Sequence, residues 1–351
     1  MRNVSINSFG GPEVLRIADR PTYRGDETKV RVDVEACGLN WLDVAVRSGH
    51  SGPGIRLPKK FPHVMGADAA GRIGALGMDA RSDLRIGDRV VVYPGLSCGE
   101  CQFCRIGETS MCPKFELLGE DTDGVQQEEI WVDPRNVAMV PQGLTTEEAA
   151  AIPVAFTTAW NLIISAGAVR VGEKVLVVGA SGGVATAAIQ LAVSAGAVVW
   201  AGTRSPDIFA RSLNALGVSE LFDTSTPNWS TFVADLTDGC GVDVVVDPVG
   251  AATWKESLRS LRPGGRLVAC GASSGDDPGI SIRELYQAHK RIIGAPLGGL
   301  QSFRSVVDTI ATHQIHPVID RVVPMEDVHD AHNAIETSNR MGKVVMRIDN
   351  S

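Results

Sequence analysis

The feature that most constrains the fold of this chain is a regular alternation of short apolar runs and helix-like segments in its second half. Six runs have the composition of buried strands: Val175–Val178, Val198–Ala201, Leu221–Phe222, Val242–Val246, Arg266–Cys270 and Arg291–Gly294. Apolar strands that alternate with helices form parallel sheets that are covered on both faces. The pattern therefore predicts an α/β fold with a doubly wound, six-stranded parallel sheet.

A loop of small residues follows the first of these strands and opens the next helix, expected over Thr186–Ala195. The loop consists of Gly179, Ala180, Ser181, Gly182, Gly183 and Val184, followed by Ala185. Small residues let the backbone approach a pyrophosphate, and a helix start offers free N–H groups and a positive dipole end. Because the loop lies between a strand and an amphipathic helix, it predicts a dinucleotide site. The alternative is a tight turn that binds no ligand.

The residues after the second strand indicate which dinucleotide is bound. An NAD site usually carries Asp or Glu here to accept hydrogen bonds from the ribose hydroxyls. This chain instead has Thr203, Arg204 and Ser205, with no carboxylate before Asp207. A carboxylate would repel a 2′-phosphate, whereas these side chains would attract it. We therefore predict NADPH as the cofactor; alternatively, Arg204 is a solvated surface charge.

Four of the seven cysteines, Cys98, Cys101, Cys104 and Cys112, lie in one short stretch with the spacing C-x2-C-x2-C-x7-C. Four thiolates so close together can form a closed tetrahedral shell around one zinc ion, and a closed shell supports structure rather than chemistry. Two disulfides are the alternative. The opening residues lack the apolar core of a signal peptide, so we expect a cytoplasmic protein with reduced thiols.

Length and charge limit the remaining possibilities. A chain of 351 residues indicates two domains. A formal net charge of −8, without a dense Lys/Arg stripe, argues against nucleic-acid binding. The stretch 175–203 has no charged residue and is long enough to cross a membrane. Its glycine loop fits a strand, turn, helix and second strand better, so we expect no membrane partner and a small-molecule substrate.

The flanking parts of the chain have other patterns. Short β-type runs punctuated by Gly and Pro occur at Lys29–Val34, Arg89–Val92, Glu129–Val132 and Asn136–Val140. They predict an irregular antiparallel domain that contains the cysteine cluster. The last part of the chain predicts helices at Ser302–Thr312 and Met325–Thr337 and a closing strand at Lys343–Ile348.

These residues together resemble the medium-chain dehydrogenase/reductase superfamily, the zinc alcohol dehydrogenase and quinone oxidoreductase group. The matching segments are CGLNWLDVAVRSG, FPHVMGADAAGRI, IGDRVVVYPGLSCGECQFC, the glycine loop, VDVVVDPVG, LRPGGRLVACGASSG and GKVVMRI. The resemblance implies a GroES-like catalytic domain over residues 1–153 and 299–351, with the structural-zinc lobe near 94–116. It also implies a Rossmann dinucleotide-binding domain over 154–298 and a homodimer or tetramer.

The resemblance implies roles for further residues. Thr158 would lie beside the nicotinamide, and Lys343 would approach the cofactor pyrophosphate. The remaining expected cofactor residues follow strand ends and line the cofactor cleft: Pro248, Val249, Gly271 and Ala272.

The departures from the family pattern concern the catalytic zinc. Zinc-dependent members hold it with Cys, His and Cys, and the corresponding positions here are Asn40, Ala67 and Val154. Ala67 belongs to Gly66-Ala67-Asp68, which replaces the family's Gly-His-Glu. These side chains form no plausible shell for an open zinc site. A rearranged zinc site using His63 and Cys37 remains an alternative.

An asparagine at position 40 is the pattern of the zinc-independent quinone oxidoreductases, whose motif resembles Asn40-Trp41-Leu42-Asp43. Leu42 replaces the hydroxyl that would relay a proton from an alcohol, and Ala45 replaces a tyrosine often implicated in those enzymes. The general acid is therefore unidentified. We expect Asn40 near the nicotinamide and the substrate oxygen, or else as a turn-stabilising amide. Asp43 is expected in proton transfer or in a structural hydrogen bond.

Without a Lewis acid an alcohol is a poor hydride donor, whereas a quinone or an α,β-unsaturated carbonyl spreads the incoming charge over a conjugated oxygen. The sequence therefore favours NADPH-dependent reduction of a quinone or an activated C=C bond, with one structural zinc per chain. The alternatives are an alcohol dehydrogenase with a rearranged catalytic zinc and a non-catalytic NADPH-binding sensor.

Overall fold

The computed structural model describes residues 1–21, 28–50, 56–78, 81–337 and 339–349. The chain divides into two compact units. Unit 1 comprises Met1–Ala155 and Gly299–Ser351, and unit 2 comprises Phe156–Gly298. Unit 2 is thus inserted into the chain of unit 1.

The described strands are β1 (Arg2–Ile6), β2 (Leu15–Asp19), β3 (Val30–Gly38), β4 (His63–Val64), β5 (Asp68–Ala75), β6 (Arg89–Val92), β7 (Gly95–Leu96), β8 (Glu116–Leu117), β9 (Glu129–Val132), β10 (Val137–Met139), β11 (Lys174–Val178), β12 (Val198–Thr203), β13 (Val218–Asp223), β14 (Val242–Asp247), β15 (Leu261–Ala269), β16 (Arg291–Gly294), β17 (Ile319–Pro324) and β18 (Lys343–Arg347).

The described α-helices are α1 (Trp41–Ser48), α2 (Gln102–Arg105), α3 (Thr146–Ala150), α4 (Pro153–Trp160), α5 (Gly183–Ser194), α6 (Pro206–Ala215), α7 (Ser230–Leu236), α8 (Ala251–Arg259), α9 (Ile282–Gln287), α10 (Leu300–His313) and α11 (Val328–Glu336). Short 3-10 turns occur at Pro12–Val14, Thr109–Met111, Pro134–Asn136 and Met325–Asp327, and a π-helical turn follows α4 at Asn161–Ser165.

Unit 2 is built on a six-stranded sheet in the order β13-β12-β11-β14-β15-β16, and every pair in it is parallel. Helix α5 packs on β11 and β12, and α8 packs on β14 and β15. Central strands of a parallel sheet are covered on both faces, which is why they are continuous apolar runs. Residues Val175–Val178 have no solvent exposure. The predicted doubly wound fold is confirmed.

The uncharged stretch 175–203 forms β11, the glycine loop, α5 and β12. In the part of the chain that the structure describes, no helix is long and apolar enough to cross a membrane. The interpretation of this stretch as strand, turn, helix and strand is therefore correct.

Unit 1 contains an irregular, largely antiparallel sheet of seven strands along the path β10-β6-β5-β3-β18-β17, with β9 also paired to β3. Strand β18 runs antiparallel to β3, with Val345 opposite Gly38 and Met346 opposite Cys37. Strand β5 lies on the other side of β3, where Asp68 pairs with Gly38. These registers bring the end of β3, the start of β5 and the start of β18 together.

Glycine is required at position 38 by this arrangement. A Cβ atom on Gly38 would lie 2.3 Å from the carbonyl oxygen of Ala150 and 3.1 Å from the side chain of Asp68. The missing side chain leaves room for the carboxylate of Asp68, which is fully buried.

Candidate functional site

The cysteine cluster lies in unit 1, after strand β7. Cys101 precedes the single-turn helix α2, Cys104 lies within it, and Cys112 follows the turn Thr109–Met111. All four Sγ atoms lie within 4.8 Å of one another. The cluster therefore forms without long-range strand pairing, as the sequence spacing predicted.

The separations of the sulfur atoms fit a zinc site. The Sγ atoms of Cys101 and Cys104 are 3.5 Å apart, those of Cys112 and Cys98 are 3.5 Å apart, and those of Cys98 and Cys104 are 3.9 Å apart. Four ligands at about 2.3 Å from a tetrahedral zinc would be separated by about 3.8 Å, whereas a disulfide needs about 2.05 Å. Backbone N–H groups of Glu100 and Cys101 lower the pKa of the Cys98 thiol to about 6, whereas desolvation and the neighbouring Cys101 raise the pKa of the Cys104 thiol to about 11. The sulfur separations, rather than these opposed shifts, are what fit a zinc site.

The glycine loop of unit 2 is a tight turn that leads directly into helix α5. Gly179 has φ +65°, and a Cβ atom there would lie 2.8 Å from the side chain of Val249. No side chain among the described residues caps the start of α5 at Gly182. The N–H groups of its first turn are therefore directed to the open end of the helix, where an anion can accept them.

The residues expected to select the cofactor lie at the carboxyl end of β12. Thr203 is buried, Arg204 is exposed, and Ser205 precedes α6. Arg204 forms no ion pair with any described residue. The carboxylate opposite Thr203 on the neighbouring strand is Asp223, which accepts the N–H of Ser225 at 2.7 Å. This part of unit 2 thus presents an unpaired cation.

The turns after β14 and β15 approach each other closely. A Cβ atom on Gly271 would lie 2.4 Å from the carbonyl oxygen of Pro248, so Gly271 has to be a glycine. The turn that contains Pro248 and Val249 is fixed by Asp247, which is fully buried. The carboxylate accepts from the N–H of Val249 at 2.9 Å and from the hydroxyl of Thr253 at 2.8 Å. No role was predicted for Asp247 from the sequence, although its place in VDPVG at a strand end could have suggested one.

A largely buried group of polar side chains in unit 1 surrounds Asn40; we call Asn40, Asp43, Asp68 and Lys343 the Asn40 cluster. Lys343 Nζ donates to Asn40 Oδ1 at 2.6 Å and to Asp68 Oδ2 at 2.8 Å. Asn40 Nδ2 donates to the same Asp68 oxygen at 2.9 Å. The second oxygen of Asp68 accepts the N–H of Val154 at 2.7 Å.

Asp43 completes the Asn40 cluster from the first turn of α1. Its Oδ2 accepts the backbone N–H of Asn40 at 2.7 Å, which caps the start of the helix. Burial, opposed by this hydrogen bond and by Lys343, raises the pKa of Asp43 to about 7. The carboxyl group therefore holds its proton to near neutral pH, with Oδ1 as the oxygen that can carry it.

Zinc-dependent members of the family that the sequence resembles hold the catalytic zinc at three positions. The residues at these positions have other partners here. Asn40 binds Lys343 and Asp68, the backbone of Val154 binds Asp68, and Ala67 is a buried apolar residue. His63 Nε2 lies 3.1 Å from the carbonyl oxygen of Gly119. Cys37 Sγ lies 3.3 Å from the carbonyl oxygen of Val125, and burial raises the pKa of its thiol well above the usual value.

The other predicted residues are distributed between the units. Thr158 lies on α4 in unit 2 and is buried, whereas Asn40, Asp43 and Lys343 lie in unit 1. Trp41, which follows Asn40 in the motif, is 46% exposed and therefore does not lie in the core. Two predicted roles stay predictions: that of Thr158 beside the nicotinamide and that of Lys343 at the pyrophosphate.

Comparison with known proteins agrees with this architecture. Residues 26–142 match the alcohol dehydrogenase GroES-like domain, and residues 183–312 match the zinc-binding dehydrogenase family. The acryloyl-coenzyme A reductase of Sulfurisphaera tokodaii is 30% identical over 96% of this chain and 98% of its own. Human quinone oxidoreductase is 28% identical over 99% and 97%. A crystal structure of an NAD-dependent alcohol dehydrogenase superposes with a TM-score of 0.93 at 37% identity, over 99% of this chain and 100% of its own.

The chain belongs to the medium-chain dehydrogenase/reductase superfamily, with a GroES-like domain and a Rossmann-type parallel sheet. It is an oxidoreductase of that superfamily. The resemblance recognised in the sequence is confirmed.

Proposed function

We propose that the protein transfers a hydride from NADPH to a quinone or to an activated C=C bond, without a catalytic zinc. The observation that carries this proposal is the Asn40 cluster. In place of three zinc ligands, unit 1 has an asparagine amide fixed between a buried ammonium and a buried carboxylate. Among the described residues, the four cysteines are the one group of three or more His, Cys, Asp or Glu side chains arranged to hold a metal.

The cofactor residues support a dinucleotide in unit 2. Bound NADPH would supply the hydride, and the loop Gly179–Val184 with the start of α5 would hold its pyrophosphate. Arg204, which forms no ion pair with a described residue, would bind the 2′-phosphate, with Thr203 and Ser205 beside it. Pro248, Val249, Gly271 and Ala272 would line the cleft, and Thr158 would orient the nicotinamide.

The chemistry assigned to unit 1 is to stabilise negative charge. When a hydride adds to the β-carbon of an enone, the C=C electron pair moves toward the carbonyl and charge develops on its oxygen. Asn40 uses one N–H on Asp68 and has a second N–H left to donate to that oxygen. The final proton comes from solvent or from Asp43, whose pKa of about 7 lets Oδ1 hold a proton near neutral pH.

The names of two relatives support this reaction class. One is a quinone oxidoreductase and another an acryloyl-coenzyme A reductase, which acts on a C=C bond conjugated to a carbonyl. The structural neighbour described as an NAD-dependent alcohol dehydrogenase favours the second candidate, alcohol oxidation with a rearranged zinc. That candidate needs His63 and Cys37 to leave their present carbonyl partners.

Steady-state rates with a panel of acceptors test the proposal. We expect turnover of 9,10-phenanthrenequinone, enals or enones with NADPH and negligible oxidation of simple alcohols. Alcohol oxidation faster than acceptor reduction would contradict the proposal. Tight NADPH binding without turnover on the whole panel would instead indicate a non-catalytic NADPH-binding protein.

A further inference from the structure

The buried ammonium of the Asn40 cluster has a role that the family resemblance did not indicate. The Lys343 side chain is 5% exposed, and its partner Asp68 is 0% exposed. A buried carboxylate without a cation is strongly disfavoured. The pair is therefore an internal charge pair of unit 1, rather than two surface charges that happen to meet.

The pairing is determined by the register of three strands. Val345 lies opposite Gly38 in the antiparallel pair β18–β3, which places Lys343 opposite Asn40 two residues further along. Asp68 lies opposite Gly38 on β5, where the missing side chain of Gly38 makes room for its carboxylate. The three side chains are thus brought together by the backbone and do not depend on a flexible loop.

The contacts fix both ends of the Asn40 amide. An ammonium can only donate and a carboxylate can only accept, so the amide oxygen must face Lys343 and the amide nitrogen must face Asp68. The distances are 2.6 Å and 2.9 Å. One N–H of Asn40 is left over, and its direction is set by the other two bonds. A preoriented donor of this kind stabilises developing negative charge without reorganisation.

We propose that Lys343 is a positioning residue that fixes the Asn40 amide, and that it is not a ligand of the cofactor pyrophosphate. At least two of its three ammonium donors are already engaged within unit 1. The part of this inference that concerns catalysis rests on the proposed function, because it assumes that Asn40 faces the substrate oxygen. The part that concerns cofactor binding does not.

The variants Lys343→Met, Asp68→Asn and the double variant test the proposal, with Lys60→Met as a matched control on an exposed lysine. For Lys343→Met we expect kcat to fall about 100-fold, the loss typical of a misplaced group, and the Kd of NADPH to change less than threefold. A rise of 30-fold or more in that Kd, with kcat at saturating NADPH unchanged, would overturn the proposal and return Lys343 to the pyrophosphate.

The double variant keeps the test informative if Lys343→Met folds poorly. Removing both charges leaves no unpaired carboxylate, so its urea midpoint should lie above that of Lys343→Met while its kcat stays low. If Lys343→Met lowered the urea midpoint by the same amount in the wild-type protein and in Asp68→Asn, the two residues would not form a buried pair.

Urea unfolding and NADPH titration need no substrate. If the wild-type protein turns over no acceptor, the proposed function fails. The same two measurements still decide whether Lys343 belongs to the internal pair or to the cofactor.

Discussion

At the scale of single residues, the chemistry of unit 1 depends on charges held out of water. Asp43 and Asp68 are both buried carboxylates, with one ammonium between them to balance the charge. If both were ionised, the Asn40 cluster would carry a net negative charge. Burial is the main cause of the raised pKa of Asp43, and the charge of Asp68 adds to it. Protonation of Asp43 removes the excess negative charge.

This titration predicts a pH-dependent stability. Because the pKa of Asp43 is higher in the folded state than in the unfolded state, the folded state binds more protons between about pH 4 and 7. The contribution of protonated Asp43 to the free energy of unfolding is fully present below about pH 4 and is lost as the pH rises through about 7. Asp43→Asn keeps an acceptor for the Asn40 N–H and removes the titration.

The stability of Asp43→Asn relative to wild type should thus rise by roughly 2–4 kcal/mol between pH 4 and 8. Urea unfolding at a series of pH values measures this difference. A difference that stays constant across the series would contradict the raised pKa of Asp43.

Arg204 carries the prediction on cofactor choice. A charge-assisted hydrogen bond to phosphate contributes about 1.5–3 kcal/mol, so Arg204→Ala should raise the Kd of NADPH about 10- to 100-fold and leave NADH within twofold. Arg211→Ala, an exposed arginine on α6, is the matched control. Equal weakening of both cofactors by Arg204→Ala would show that Arg204 does not distinguish them.

The sequence predicted these residues unevenly. Asn40 was singled out because it occupies the position of a zinc-ligating Cys, and Asp43 because it belongs to the same contiguous motif. Asp68 appeared only as part of Gly66-Ala67-Asp68, and Lys343 was assigned to the cofactor. Their pairing joins residues 275 positions apart, and no local pattern contains that register.

At the scale of elements, the cysteine lobe supports the start of helix α10. The hydroxyl of Thr109, between the last two cysteines, accepts the N–H of Leu300 at 2.8 Å. A Cβ atom on Gly299 would lie 2.9 Å from the same hydroxyl oxygen. Tyr93 packs on Phe303 with ring centroids 5.4 Å apart. The first turn of α10 therefore depends on the shape of the lobe.

Removal of zinc should loosen this junction selectively. Hydrogen–deuterium exchange after treatment with a strong chelator should accelerate over residues 98–112 and 299–303, with β11 and β14 unchanged. The lobe is expected to lose its shape because the metal bonds that tie its four cysteines together are removed. Unchanged exchange at 299–303 would contradict the proposed support of α10 by the lobe.

Gly38 provides a prediction on strand packing. Gly38→Ala forces a contact with a backbone carbonyl at 2.3 Å, so we expect a loss of about 2–3 kcal/mol in the free energy of unfolding. Gly294→Ala is the control, since a Cβ atom there meets nothing within 4 Å. Urea unfolding of both variants checks the comparison, and equal stability of the two would contradict the close packing at Gly38.

The accuracy of the predicted strands depended on whether their apolar residues are contiguous in the sequence. Strand β16 was predicted with its observed bounds, and the apolar parts of β11 and β14 to within one residue. Strand β13 was predicted as two residues, Leu221–Phe222, but it spans Val218–Asp223. It lies at the edge of its sheet and carries the exposed Ser219 and Glu220. These two polar residues interrupt the continuous apolar run on which the prediction relied. The other edge strand, β16, keeps the adjacent pair Ile292 and Ile293 and was recognised despite its exposure.

At the scale of the whole molecule, the patterns along the chain indicated an antiparallel region and a parallel sheet, whereas only the family resemblance implied that one domain is inserted into the other. Unit 1 contains the Gly- and Pro-rich β region and the returning strand at the end of the chain. Unit 2, with its six alternating strands, interrupts unit 1 in the sequence. What the sequence could not give is the pairing of the returning strand β18 with β3. That pairing places Lys343 in the Asn40 cluster. A homo-oligomer and a cytoplasmic location stay predictions.

Measurement of the zinc content distinguishes most directly between a protein with a structural zinc alone and one with an additional catalytic zinc. We propose that the protein binds a structural zinc at its four clustered cysteines and carries out hydride transfer without a second zinc. Metal analysis of protein that is active toward a quinone or an enone should give one zinc per chain, and a Cys98→Ser/Cys112→Ser variant should give none. Two zinc ions per chain in active wild-type protein, with one retained in that variant, would contradict the claim.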